Sequence, residues 1–302
     1  VTPNRLAVKR MGVRGALIAG VVLLLAIAAS LSMYLVHRNT NYSTDFGAVD
    51  APDRVNIQVW IGHVDTTSQT VSVEIVGVEP TGTLAGPDGG FNSDAVLTTS
   101  ALGDPITIDK GQTGSDTPRT FAVNGTITDY PFDRYHALMT FSVTANGTAV
   151  PVAVAISSAD PFFQNIPVAP APSADQPDGR VDIDLTSTRS TPTLVFAAFV
   201  MVLMLGLAAA AVTAGYYILR WRRGLIFPAC SMMAAILFAL IPLRNAVPGN
   251  PPIGSVIDFA SFFIAETVIS IALIASVVIG YRVEITNELA ATEPPAEPGA
   301  GA

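Results

Sequence analysis

The sequence predicts an α+β membrane protein: an extracytoplasmic, sandwich-like all-β domain with one transmembrane helix before it and three after it. Three observations lead there. Half of the residues are hydrophobic and only 13% are charged, against roughly 25% charged in soluble domains. The apolar residues collect in four blocks rather than spreading evenly. Between the first and second blocks the hydrophobic pattern switches to a period of two, the mark of strands with one buried face.

Residues 1–15 read as a basic cytoplasmic tail carrying Arg5, Lys9, Arg10 and Arg14. Residues 16–36 contain no charge and can cross a hydrocarbon core of ~30 Å at ~1.5 Å per residue. Positive charge stays in the cytoplasm, so the amino terminus is expected inside. Ala26-Ile27-Ala28 resembles a signal-peptide cleavage site, which is the alternative. The apolar run continues to Val36, which favours an uncleaved anchor.

The second span, 193–219, ends at Arg220, Trp221, Arg222 and Arg223, a cytoplasmic boundary. Gly206, Ala210 and Ala214 recur every four residues. That stripe either admits a neighbouring helix or is chance spacing in an alanine-rich segment. The third span, 224–243, carries Pro228 in its first turn and Pro242 where a helix can stop. The fourth span, 253–281, closes at Arg282. Residues 282–302 are rich in Pro, Ala and Glu and read as a disordered cytoplasmic tail. Alternating spans put both termini in the cytoplasm. Val1 reads as a literal GTG start codon, and with the Ala/Gly/Val-rich composition it points to a bacterial gene, hence the bacterial inner (plasma) membrane.

Residues 37–192 form the external domain. Val55–Ile61 and Val71–Ile75 alternate around the polar turn Asp65–Gln69 and read as a hairpin. Further strands are expected at Ala95–Thr99, Ile106–Asp109, Arg119–Thr128, His136–Ala145, Val150–Ser157 and Val181–Thr186. Gly82–Ser93 and Asp160–Gly179 read as long loops, the latter as a Pro/Ala-rich spacer toward the second helix. Between Asn39 and Pro192 there are 18 acidic and 6 basic residues, which argues against a nucleic-acid partner. The single cysteine, Cys230, lies in the third span. No internal disulfide is possible, so the domain relies on its own core. Cys230 reads as a packing residue.

No catalytic, cofactor or metal constellation is legible. There is no P-loop, no G-x-S-x-G and no H-E-x-x-H. His37, His63 and His136 lack the short spacing of zinc ligands. Asn124-Gly125-Thr126 and Asn146-Gly147-Thr148 match glycosylation acceptors, but Asn-Gly more simply marks tight turns. The costly polar residues lie in and above the fourth span. Glu266 falls about thirteen residues past Ile253, roughly 20 Å into the membrane, where a carboxylate costs at least ~2.5 kcal/mol unless neutralised or partnered. Ser255, Asp258, Glu266 and Ser270 share one helix face, read either as a proton or ion relay or as a packing contact between helices. Arg244 and Asp258 flank the proline-rich connection Pro242–Gly254 at similar depth and are expected to pair.

Two segments carry a resemblance: Tyr130-Pro131-Phe132-Asp133-Arg134-Tyr135, and Pro-Leu-Arg…Pro-Gly-Asn-Pro-Pro-Ile-Gly…Asp from Pro242 to Asp258. With the helix–domain–helix order, over about residues 15–285, the chain resembles the domain-of-unknown-function family 4436, membrane proteins without an established activity. Tyr130–Asp133 also resembles the Phe-Pro-Phe-Asp turn of pentameric ligand-gated channels. Those have four helices after their β-sandwich and often a bracketing cysteine pair, both lacking here. From its residues alone the segment is a proline turn, with Phe132 buried and Asp133 capping local amides. The expected function is non-enzymatic: an envelope accessory or interaction protein whose partners are the lipid bilayer and a membrane or envelope protein. The alternative is a channel or transporter component using the polar face of the fourth span.

Overall fold

The computed structural model describes residues 43–170, 179–221 and 226–292, together with Ser32. Ser32 aside, the first predicted span lies outside the described residues, as do the basic tail and residues 293–302.

Among the described residues, twelve strands form the β domain: β1 (Ser43–Gly47), β2 (Val55–Asp65), β3 (Thr70–Pro80), β4 (Ala95–Thr99), β5 (Ile106–Ile108), β6 (Gly114–Ala122), β7 (Asn124–Gly125), β8 (Arg134–Ala145), β9 (Thr148–Val150), β10 (Val152–Ser158), β11 (Phe163–Val168) and β12 (Val181–Arg189). One sheet runs β1-β10-β2-β3-β6. The other runs β11-β12-β8-β4-β5, with β7 and β9 also on β8. The predicted hairpin is β2–β3, paired antiparallel from Val55 opposite Pro80 to Asp65 opposite Thr70. A register shift between Ile61 and His63 re-aims the strand so that Val64 is buried where strict alternation would expose it.

The sheets face each other across one apolar cluster. Ile57, Val59, Ile61, Val73 and Ile75 of the first meet Tyr135, Met139, Phe141, Ile183 and Leu185 of the second. β8 supplies every second residue from Tyr135 to Ala145 to this core. Each fully buried Val, Ile, Leu, Met or Phe of this core contributes roughly 1.5–3 kcal/mol, which suits a domain built without disulfides.

Two strands escape sequence patterning. β1 buries only Phe46, because an edge strand needs little apolar content. β11 contains Pro167 and lies at the rim of its sheet, where a missing amide proton is tolerated. The segment read as a spacer therefore contains a strand, and β12 follows it. β12 ends at Arg189 and the first helix begins at Thr191, so a single residue, Ser190, separates sheet from helix.

Among the described residues three helices follow: α1 (Thr191–Trp221), α2 (Ile226–Asn245) and α3 (Phe263–Thr292). Each holds a stretch long and apolar enough to cross a membrane. α1 buries Ala197, Val200, Met204, Ala208, Ala211 and Ile218, a three-and-four spacing that keeps one face inward. The Gly206/Ala210 part of the small-residue stripe points away from this bundle and is exposed. The close approach is made instead by Gly215, where an added Cβ would lie 3.4 Å from that of Ala272 on α3. α2 continues past Pro242 to Asn245. α3 is preceded by helical residues from Val256 and a π-helical turn over Asp258–Phe262. It runs ten residues beyond Arg282, through Glu-, Leu- and Ala-rich sequence that favours helix, where the sequence suggests a disordered tail.

Candidate functional site

The two singled-out segments meet where the β domain stands on the helices. The turn at Tyr130–Asp133 divides its side chains between opposite environments. Tyr130 is fully buried and belongs to the helices' apolar cluster with Val247 and Ile257. Phe132, expected inside, is 65% exposed. Asp133 is buried. Its partner is not a local amide but Arg189, the last residue of β12. Arg189 Nε donates to Asp133 Oδ1 at 3.0 Å and Nη2 to Oδ2 at 2.8 Å. Tyr135 Oη also donates to Oδ2, at 2.9 Å.

The Arg189 guanidinium also lies 4.8 Å from the Tyr130 ring centroid and 4.2 Å from that of Phe163, so two aromatic faces hold the cation. On the helix side it meets the cap between α2 and α3. Gly249 has φ +86°, and a Cβ there would fall 2.4 Å from Arg189 Nη1. This glycine is required twice, by its backbone conformation and by the approach of the guanidinium. Tyr130 Oη and Arg189 Nη1 are buried without a hydrogen-bond partner among the described residues. Burial pushes the Tyr130 phenol up to about 12, with the Asp133 charge adding to the shift and Arg189 and Arg244 opposing it. Burial, then the charge and hydrogen bond of Asp133, raises Tyr135 as well.

The cap has its own ion pair. Arg244 Nε donates to Asp258 Oδ1 at 2.8 Å and Nη2 to Oδ2 at 2.9 Å. Nη2 also reaches the Pro252 carbonyl. Asp258 accepts the amide protons of Gly254 and Ser255, so one carboxylate closes the loop and caps the helix that follows. Ser255 is drawn into this cap. Glu266 and Ser270 are half-buried further along α3. Glu266 makes no hydrogen bond or ion pair among the described residues. The expected continuous polar face is thus two separate features, a closed cap and an isolated carboxylate.

A cleft of about 760 Å³ opens beside Phe132, lined by Gln69, Asn124, Asp129, Arg134 and His136. His63 is elsewhere, 3.7 Å from Asp160. Asp160 accepts the amide protons of Val64, Phe162 and Phe163, and Ser190 and Thr193 at the start of α1 bond the carbonyls of Pro161 and Phe162. Among the described residues no three of His, Cys, Asp and Glu gather to hold a metal.

Residues 45–185 match the model of a domain of unknown function, DUF4436. The β domain resembles that family. The DUF4436 match holds the Tyr130–Tyr135 turn and stops within β12. Residues 189–283 match a second domain of unknown function, DUF8686, which holds Arg189 and the Pro242–Asp258 cap. The resemblance read from sequence over residues 15–285 therefore divides at the end of β12, and the Asp133–Arg189 pair joins the DUF4436-like part to the DUF8686-like part. No curated protein matches the chain.

Proposed function

We propose that this is a non-enzymatic accessory or interaction protein of a bacterial envelope, spanning the inner membrane with both termini cytoplasmic and its β domain outside. The observation that carries the reading is the buried junction. Asp133, Arg189, Tyr130 and Gly249 fix the orientation of the β domain on the helices, as a module that presents a surface at constant height and angle requires. The topology is supported by Arg220 at the inner end of α1. It is also supported by β1, which begins opposite Ser157 of β10, at the end of the domain that packs on α1. A helix preceding Ser43 would enter there. Purification of the full chain in mild detergent, followed by native mass measurement, tests the proposal. A co-purifying membrane or envelope protein, lost on mutation of the exposed sheet face, is expected. A strictly monomeric particle without partners overturns it.

A second reading, a channel or transporter component, is favoured by Glu266. It stands about ten residues into the helix from Val256, roughly 15 Å along the axis and near the middle of a ~30 Å core. Intramembrane carboxylates of this kind serve ion or proton pathways. Flux into proteoliposomes that falls in Glu266→Gln supports it, and flux unchanged by that substitution excludes the residue.

A further inference from the structure

We propose that the foot of the β domain is itself seated in the outer leaflet, with Phe132, Phe162 and Ile253 as apolar anchors and lipid as the occupant around them. The inference rests on the reading of α1–α3 as membrane spans. These side chains are 65%, 36% and 83% exposed, and three different elements bring them to the level where the helices begin. Phe132 precedes Asp133, whose partner Arg189 stands two residues before α1. The Phe162 carbonyl accepts the amide proton of Ser190 and the hydroxyl proton of Thr193. Ile253 lies three residues before the first helical residue, Val256.

Lipid is favoured over a protein partner because apolar exposure continues along the same helices, at Phe196 and Phe199 of α1 and at Phe259 in the π-helical turn. Charges at this level are largely neutralised inside, in the Asp133–Arg189 and Arg244–Asp258 pairs. Asp129 and Arg134 flank Phe132, opposite signs that suit the zwitterionic headgroup zone. Aromatic rings are enriched at that depth because they present an apolar body to the acyl boundary.

The test places a tryptophan reporter in the full chain, with Trp60→Phe and Trp221→Phe, in nanodiscs of lipids brominated high on the acyl chain. Phe132→Trp, Phe162→Trp and Ile253→Trp are compared with two controls. Leu138→Trp sits on the outer sheet face opposite Asp184, about 23 Å from α1 at ~3.3 Å per residue. Phe199→Trp sits on α1. Quenching by bromine at the three foot positions, together with protection from aqueous iodide, is expected. Iodide quenching without bromine quenching at Phe132 and Phe162 overturns the proposal. Protection from both quenchers overturns it too, because protein then covers the foot. If Phe199→Trp is not quenched by bromine, the membrane-span reading itself has failed, a result distinct from the other two. Three independent reporters keep the test decisive if one variant misfolds.

Discussion

Two carboxylates where the β domain meets the helices are held by arginine, and the pairs differ in how far they reach along the chain. Arg244 and Asp258 are 14 residues apart and close one loop. Asp133 and Arg189 are 56 residues apart and join two domains. The first pair is legible in the sequence, since both residues flank one short hairpin. The second is not, because nothing local shows that β12 lies beside β8. The only sequence signal is that Arg189 is the last charge before an apolar run. Breaking a buried pair by removing one partner costs about 3–5 kcal/mol. Arg244→Asp and Asp258→Arg should each lower the thermal midpoint of the detergent-solubilised protein, and the double exchange should recover part of the loss. The junction also has an alkaline limit. The Tyr130 phenol is raised to about 12 in the fold, while an exposed tyrosine titrates near ~10. The folded state thus binds this proton more tightly. Its contribution is fully present below about pH 10 and is lost as pH rises from there through about 12. Tyrosinate absorbance should rise late, together with loss of near-ultraviolet circular dichroism. Tyr130→Phe should shift the alkaline transition upward.

At the scale of elements, α1 shows which small residues matter. Gly215 meets Ala272 across the bundle, whereas a Cβ at Gly206 meets nothing within 4 Å. Gly215→Leu should separate α1 from α3 and lower the midpoint by several degrees in detergent, while Gly206→Leu should leave it unchanged. The four-residue spacing in the sequence points to the wrong stripe, because spacing alone cannot tell which side of a helix faces its neighbours. Long apolar runs make the three helices legible, and alternation does the same for β8 and for the stretches Val55–Ile61 of β2 and Val71–Ile75 of β3. β1 and β11 were hidden because edge strands bury too few side chains to leave a period. Phe132 departs from its expected buried place for a related reason. A phenylalanine in a turn of a soluble domain belongs inside, and only its place beside the helices makes exposure tolerable.

For the whole molecule, the contact that decides the architecture is the direct passage from β12 to α1. With only Ser190 between strand and helix, the two behave as one continuous rod. An α-helix advances about 100° per residue. One alanine inserted after Ser190 would therefore turn the buried face of α1 away from α2 and α3 while Arg189 stays clamped by Asp133. Four inserted residues add about 400°, which nearly restores the rotation but raises the domain by about 6 Å. Folding yield in membranes should fall for the single insertion and recover in part for the fourfold one. The length of this connection is thus fixed in phase as well as in distance, and a rotation imposed on the β domain would be passed down α1 to its far end with no slack to absorb it.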